Sequence, residues 1–224
     1  RPACLPELRQ GGAVPVQSRT LSTATINGPT MRFQRCLILL FVAMYLLMLL
    51  GGTALKPGYS PLSQYISELG ATGSEHARLI SLFGFIPVGV LAALLLFAFA
   101  RTAPVSGASR LGYWLLMFEP LAWIGSALAP CDLGCPIGGS LSQSLHTLLG
   151  VFTYFGTALG LMLLATTPAI RTTTRVLWIT LAGLWLLLFV LMGLEPLHAW
   201  RGLLQRLEEW SVYSVLCISA WRLS

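Results

Sequence analysis

The sequence predicts an all-α fold: a polytopic transmembrane helix bundle of six helices, with a short amphipathic surface helix in its first outer loop. Three observations carry that expectation. The 224 residues are 55% hydrophobic and 10% charged, where an ordinary soluble domain is about 25% charged. Apolar runs close to the roughly 20 residues that a helix needs to cross a bilayer recur along the chain. The arginines stand singly between those runs and never as a patch. The net charge of +6 therefore reads as a topology signal, and no nucleic-acid partner is expected.

Residues 1–30 combine Pro, Gly, Ser and Thr with three arginines. They show no apolar periodicity and are expected to be disordered. Met31, followed by Arg32, Arg35 and an apolar run, reads as the natural start, with 31–224 as the integral membrane domain. The expected spans are 36–55, 79–100, 111–129, 147–166, 176–194 and 203–222. The first has a competing reading: MRFQR, an apolar core and Gly52-Thr53-Ala54 resemble a signal peptide with a small-residue cleavage site.

Between the first two spans, Ser60 suits an N-cap, Pro61 the first helical position and Gly70 the C-terminal stop. Leu62, Tyr65, Ile66 and Leu69 fall on one helical face, with Ser63, Gln64, Ser67 and Glu68 on the other. This predicts a short helix lying on the membrane or capping the bundle. Gly84, Pro87 and Gly89 predict a bend in the second span. Gly156 and Gly160 on the fourth allow close helix approach. The sixth run is weaker. Arg206, Glu208 and Glu209 would not be tolerated facing lipid, so the start of that helix needs a polar environment. Gly202, Arg206, Glu209 and Tyr213 share a face, and Arg206 and Glu209 at i, i+3 are spaced to pair.

With the N-terminus inside, the inner segments hold seven basic residues past residue 30: Arg32, Arg35, Arg101, Arg110, Arg171, Arg175 and Arg222. The outer segments hold four: Lys56, Arg78, Arg201 and Arg206. The excess predicts a plasma-membrane protein with both termini cytoplasmic. All three histidines and all the acids past residue 30 except Glu119 then fall on the outer side.

That asymmetry makes Pro130–His146, PCDLGCPIGGSLSQSLH, the centre of interest. Cys131 and Cys135 sit where a disulfide persists. A disulfide that pins the loop, two free thiols, and a metal site shared with His146 are all open, although the spacing matches no standard zinc knuckle. Glu119, within the third span and just before Pro120, is an intramembrane acid: a functional site, or a carboxyl bonded to a carbonyl freed at the proline. Ser67, Glu68, Asp132 and His146 are the candidates for chemistry. Glu68, Asp132, His146, His198, Arg206 and Glu209 are the candidates for ligand binding, with Glu195 beside His198. No HExxH, GxSxG or dense histidine motif occurs, so no metal or other cofactor is assigned.

YSPLSQYISELGATG (Tyr59–Gly73), APCDLGC (Ala129–Cys135) with the following Leu145-His146, and GLLQRLEEW (Gly202–Trp210) resemble the motifs of a family of bacterial and archaeal membrane proteins catalogued as domain of unknown function 998. The resemblance covers about Phe33–Leu223. It implies a six-helix integral membrane protein and no assigned activity, and it points to Ser67, Glu68, Asp132, His146, Gln205 and Arg206.

Three functional readings follow. The first is a membrane protein whose outer polar cluster binds a membrane lipid or small amphiphile, or serves a structural role. The second is a membrane-embedded hydrolase, metal-assisted or serine-based, acting on a lipid headgroup. The third is a small transporter or accessory subunit with Glu119 as coupling residue. The sequence leaves open whether any reaction is catalysed, and it names no protein partner.

Overall fold

The structure, a computed structural model, describes residues 28–224. The expectation for residues 1–30 falls almost wholly outside that range. Among the described residues every regular element is helical. The α-helices are α1 (Pro29–Leu55), α2 (Ala77–Ile80), α3 (Ile86–Phe99), α4 (Ala108–Leu115), α5 (Phe118–Leu128), α6 (Leu141–Leu164), α7 (Thr172–Met192) and α8 (Arg201–Leu223).

Five stretches are long and apolar enough to cross a membrane: Thr30–Leu55, Ala77–Phe99, Ala108–Leu128, Leu141–Leu164 and Thr172–Met192. Only 33–39% of each apolar window is buried. The remainder presents side chains such as Leu47, Leu50, Phe83, Phe97, Phe155 and Val190 outward. A surface so uniformly apolar belongs against lipid. At 23 residues, or about 34 Å at 1.5 Å per residue, α8 is also long enough to span. It hides its charges inside the bundle, with Arg206, Glu208 and Glu209 all buried.

The helices close into a ring. α1 packs on α3, α3 on α5, α4 and α5 on α6, α6 on α7, α7 on α8, and α8 back on α1. The core runs through Phe41, Tyr45, Phe85, Trp123, Trp185 and Val212. Two spans are interrupted. Ser81–Phe85 forms a π-turn between α2 and α3, at the bend expected from Gly84 and Pro87, since an inserted residue relieves the contact between a proline ring and the preceding turn. α4 and α5 are separated at Leu116-Met117, two residues before Glu119.

Both ends of the described chain lie at one end of the bundle. Arg35 donates through Nε to Ser224 Oγ (3.3 Å) and through Nη2 to Ser224 O (3.0 Å), and its guanidinium stacks on Trp221. Nearby, Gln34 Nε2 donates to Ala98 O. The opposite end holds the connections after α1, α5 and α7. Thr72 N donates to Cys131 O at 2.8 Å, and Leu203 N donates to Leu62 O at 2.9 Å. The second connection and the first turn of α8 are thereby both tied to the first connection.

The first of these connections differs from the expectation. The chain turns at Pro61–Ser63 and forms a 3-10 helix only over Ile66–Gly70. Ile66, Glu68, Leu69 and Gly70 are all buried, so this is a plug inside the ring and not a helix on the surface. The cause is Glu68. Its side chain accepts from Tyr65 N at 3.0 Å and from Gln64 Nε2 at 3.0 Å, which folds the expected polar face inward.

Candidate functional site

The plug positions the polar groups at this end of the bundle. Glu68 is 1% exposed, and its Oε1 takes a charged hydrogen bond of 2.9 Å from Arg201 Nη2. Arg201 also donates to Ser63 O (3.0 Å) and Gly134 O (3.3 Å), and its Nη1 lies 2.7 Å from His198 Nε2. One guanidinium therefore joins all three connections at this end of the bundle. Arg206, one and a half turns further along α8, faces elsewhere. It donates to Pro61 O (2.8 Å), Gln64 O (3.2 Å), Gly202 O (2.9 Å) and the Tyr59 hydroxyl (2.6 Å). Sequence spacing predicts an Arg206–Glu209 pair. The structure assigns Glu68 to Arg201 and Arg206 to backbone carbonyls, because Gly202 lets α8 press directly on the loop. A Cβ at Gly202 would stand 2.2 Å from Gln64 O.

Burial lowers the pKa of the Lys56 ammonium against the opposing pull of the Glu68 charge. Lys56 donates to Glu68 O and lies over the Tyr59 ring. The Tyr59 and Tyr65 hydroxyls are pushed up, mainly by burial.

In the second connection, Asp132 accepts from Ser140 N (2.8 Å) and Ser140 Oγ (2.8 Å). These bonds hold its carboxyl below the usual range. Ser140 in turn caps α6 by accepting from Gln143 N. Cys131 and Cys135 are joined as a disulfide. His146 Nδ1 lies 3.0 Å from Ala129 O. The two sulfurs and the imidazole lie within 4.8 Å of one another, but sulfurs bonded to each other offer a metal no thiolate.

Ser67, Asp132 and His146 thus share one end of the molecule without forming a set. Ser67 Oγ contacts Cys135 Sγ at 3.4 Å, Asp132 is engaged by Ser140, and His146 meets a backbone carbonyl. No nucleophile–base–carboxylate relay runs among them. His198 and Glu195 are exposed, and His198 contributes only through Arg201.

Beneath this roof lies a cavity of about 420 Å³. Ser67, Cys135, Gln143 and His146 line it above, Trp123, Tyr154, Trp185 and Phe189 along its walls, and Glu119 and Glu209 below. Glu119 Oε1 accepts from Thr157 Oγ1 at 2.7 Å and Oε2 from Tyr213 OH at 2.8 Å. Its partners are thus two hydroxyls and not a carbonyl freed at Pro120. Trp123 Nε1 donates to the Tyr213 hydroxyl. Glu209 Oε2 accepts from Tyr45 OH at 2.7 Å. Glu208 is fully buried, and neither of its oxygens has a hydrogen-bond partner.

A second cavity, of about 610 Å³, lies toward the end of the bundle where the described chain begins and ends, between Phe99, Trp178, Cys217 and Arg222. Glu119 and Tyr213 border it as well.

In the sequence Arg201 counts only as a charge, and no motif or spacing there singles out Tyr45, Tyr59, Trp123 or Thr157 as part of the site. One signal was available: Tyr45 is the single hydroxyl between Cys36 and Thr53 in an otherwise apolar run. A buried hydroxyl at that depth requires a partner.

An all-helical ring with a lipid-compatible exterior and charges folded inward defines a polytopic integral membrane protein. Within that class the chain belongs to the DUF998 family of proteins of unknown function, whose model matches residues 34–222. No curated protein and no solved structure matches the chain.

Proposed function

We propose that the protein binds a membrane lipid or small amphiphile in the upper cavity, entered from the extracytoplasmic leaflet of the plasma membrane, with both termini cytoplasmic. The observation that carries this is the cavity itself. Its volume of about 420 Å³ falls in the range of small-molecule sites, about 300–1,000 Å³. Apolar and aromatic walls run between a polar rim and a polar floor, a gradient that suits a molecule with a polar group and a hydrocarbon part. The excess of basic residues at the end bearing the termini supports the orientation.

Native mass spectrometry of protein purified in a mild neutral detergent tests the reading. A retained lipid or amphiphile adduct is expected. Gly150 lines the cavity, and a Cβ there would meet nothing within 4 Å. Gly150→Phe is therefore expected to fill the space and cut adduct occupancy at least tenfold at unchanged melting temperature. Wild-type protein free of adduct under the gentlest conditions would overturn the proposal.

A second reading, a small transporter with Glu119 as coupling residue, is favoured by one observation: Glu119 borders both cavities, as a group that is reached alternately from the two sides must. Glu119→Gln is expected to abolish any proton flux in reconstituted liposomes while preserving the fold. Flux unchanged in that variant would remove the reading.

A further inference from the structure

We propose that the ligand of the upper cavity carries a positive charge, and that a lipophilic organic cation binds between the aromatic walls and the floor carboxylates in exchange for protons. This rests on the binding reading above and names its ligand class.

The first support is a charge balance. Glu119, Glu208 and Glu209 are buried together. The guanidinium buried near them, Arg206, is committed to three carbonyls and a tyrosine hydroxyl. Three negative charges against one positive leave two that protons or a bound cation must balance, since isolated ionised carboxylates in a low-dielectric interior cost many kcal/mol.

The second support is graded satisfaction. Glu119 has a donor on each oxygen and Glu209 has one from Tyr45. Glu208 is buried beside Tyr154, itself a wall residue of the cavity, and among the described residues no cationic side chain forms an ion pair with it. A buried carboxylate that no cationic side chain pairs with is held neutral by a proton or balanced by a bound cation.

The third support is the wall. Trp123, Tyr154, Trp185 and Phe189 face the same space, and Tyr154 stacks on Phe189 at 4.1 Å between ring centroids. Aromatic faces attract organic cations. A bare metal ion would instead need a shell of oxygen ligands that these walls do not provide. An anionic headgroup would meet like charge at the floor.

The exchange balances without further reactants. As the cation arrives, a floor carboxylic acid releases its proton through the cavity to the outer solution, and the reverse occurs on release. The titratable or charged groups facing the floor are Tyr45 from α1, Glu119 from α5, Tyr154 from α6, and Arg206, Glu208, Glu209 and Tyr213 from α8. Tyr65 and His146 stand at the rim.

The test uses two ions of near-identical shape and opposite charge, tetraphenylphosphonium and tetraphenylborate. Each is measured by equilibrium dialysis against the full chain in neutral detergent and against protein-free micelles, with quenching of Trp123 and Trp185 as a second readout. The phosphonium is expected to bind at least tenfold more tightly than the borate, to release about one proton per ion bound in weakly buffered solution, and to weaken at least tenfold from pH 8 to pH 5. Glu119→Gln and Glu209→Gln are each expected to lose tenfold or more in phosphonium affinity. Equal binding of both ions, or preference for the borate, overturns the cation inference while leaving the amphiphile cavity standing. Binding of neither ion, with no co-purified adduct, overturns both. If the glutamine variants do not fold, charge selectivity and proton release in the wild type decide alone.

Discussion

Glu68 takes its charge partner from Arg201, the first residue of α8, and not from Arg206. Helical spacing places both arginines, but only the packed loop decides which one reaches the plug, because Gly202 brings the Arg206 turn against backbone. A local pattern therefore exposed the ingredients of the outer cluster without their pairing. Arg201→Ala strands the buried Glu68 carboxylate and is expected to cost about 3 kcal/mol, measured as unfolding free energy in detergent. Lysine should restore little of it, since one ammonium cannot serve Glu68, Ser63 and Gly134 together. At Asp132 the prediction concerns pH. Its pKa is depressed in the fold by Ser140, so its contribution is present above the ordinary aspartate value of about 3.9 and is lost as pH falls through the lower folded value. The melting-temperature gap between wild type and Asp132→Asn should hold steady at neutral pH and close below about pH 4. Ser140→Ala removes the α6 cap and should cost about 1 kcal/mol.

At the level of elements, the spans were legible because lipid imposes a crude rule of length and hydrophobicity, and every expected span overlaps an observed helical stretch. Helix ends and the plug were not. Leu62, Tyr65, Ile66 and Leu69 do fall on one face of an ideal helix, but Glu68 draws its hydrogen bonds from the chain just before it, and a tighter turn wins. Glycine positions show what the ring requires. Gly160 was expected to sit at a close crossing, and it meets Gly112: a Cβ on Gly112 would stand 2.6 Å from Gly160 O and 2.6 Å from Leu163 Cβ. Gly156 instead receives the Phe118 ring. Gly112→Ala must push α4 and α6 apart and is expected to destabilise by about 2 kcal/mol. A thermal-stability assay that finds no loss would show that this crossing is looser than described.

Over the whole molecule, the sidedness of charge visible in the sequence corresponds to a real segregation. The connections after α1, α5 and α7 assemble at one end, and both ends of the described chain gather with the other connections at the opposite end. What sequence could not reveal is depth. Glu208 and Glu209 lie beyond the fifth span and read as charges of the outer side, yet both are buried, and Glu209 reaches Tyr45 in α1. The orientation is testable in intact cells. Ile137, 95% exposed, should as Ile137→Cys react with a membrane-impermeant maleimide. Gly107→Cys, in the connection between α3 and α4, should stay protected until the cells are opened. The opposite labelling pattern would invert the proposed topology.

The unsatisfied acid on α8 has a practical corollary for anyone hardening this protein for biochemistry. Exchanging a partnerless buried carboxylate for an apolar side chain of similar size is often neutral or favourable, so a selection for heat tolerance in detergent should repeatedly return Glu208→Leu. The most robust preparation would then carry one acid fewer beside the floor of the cavity, and the proton release measured on it would differ from that of the natural molecule.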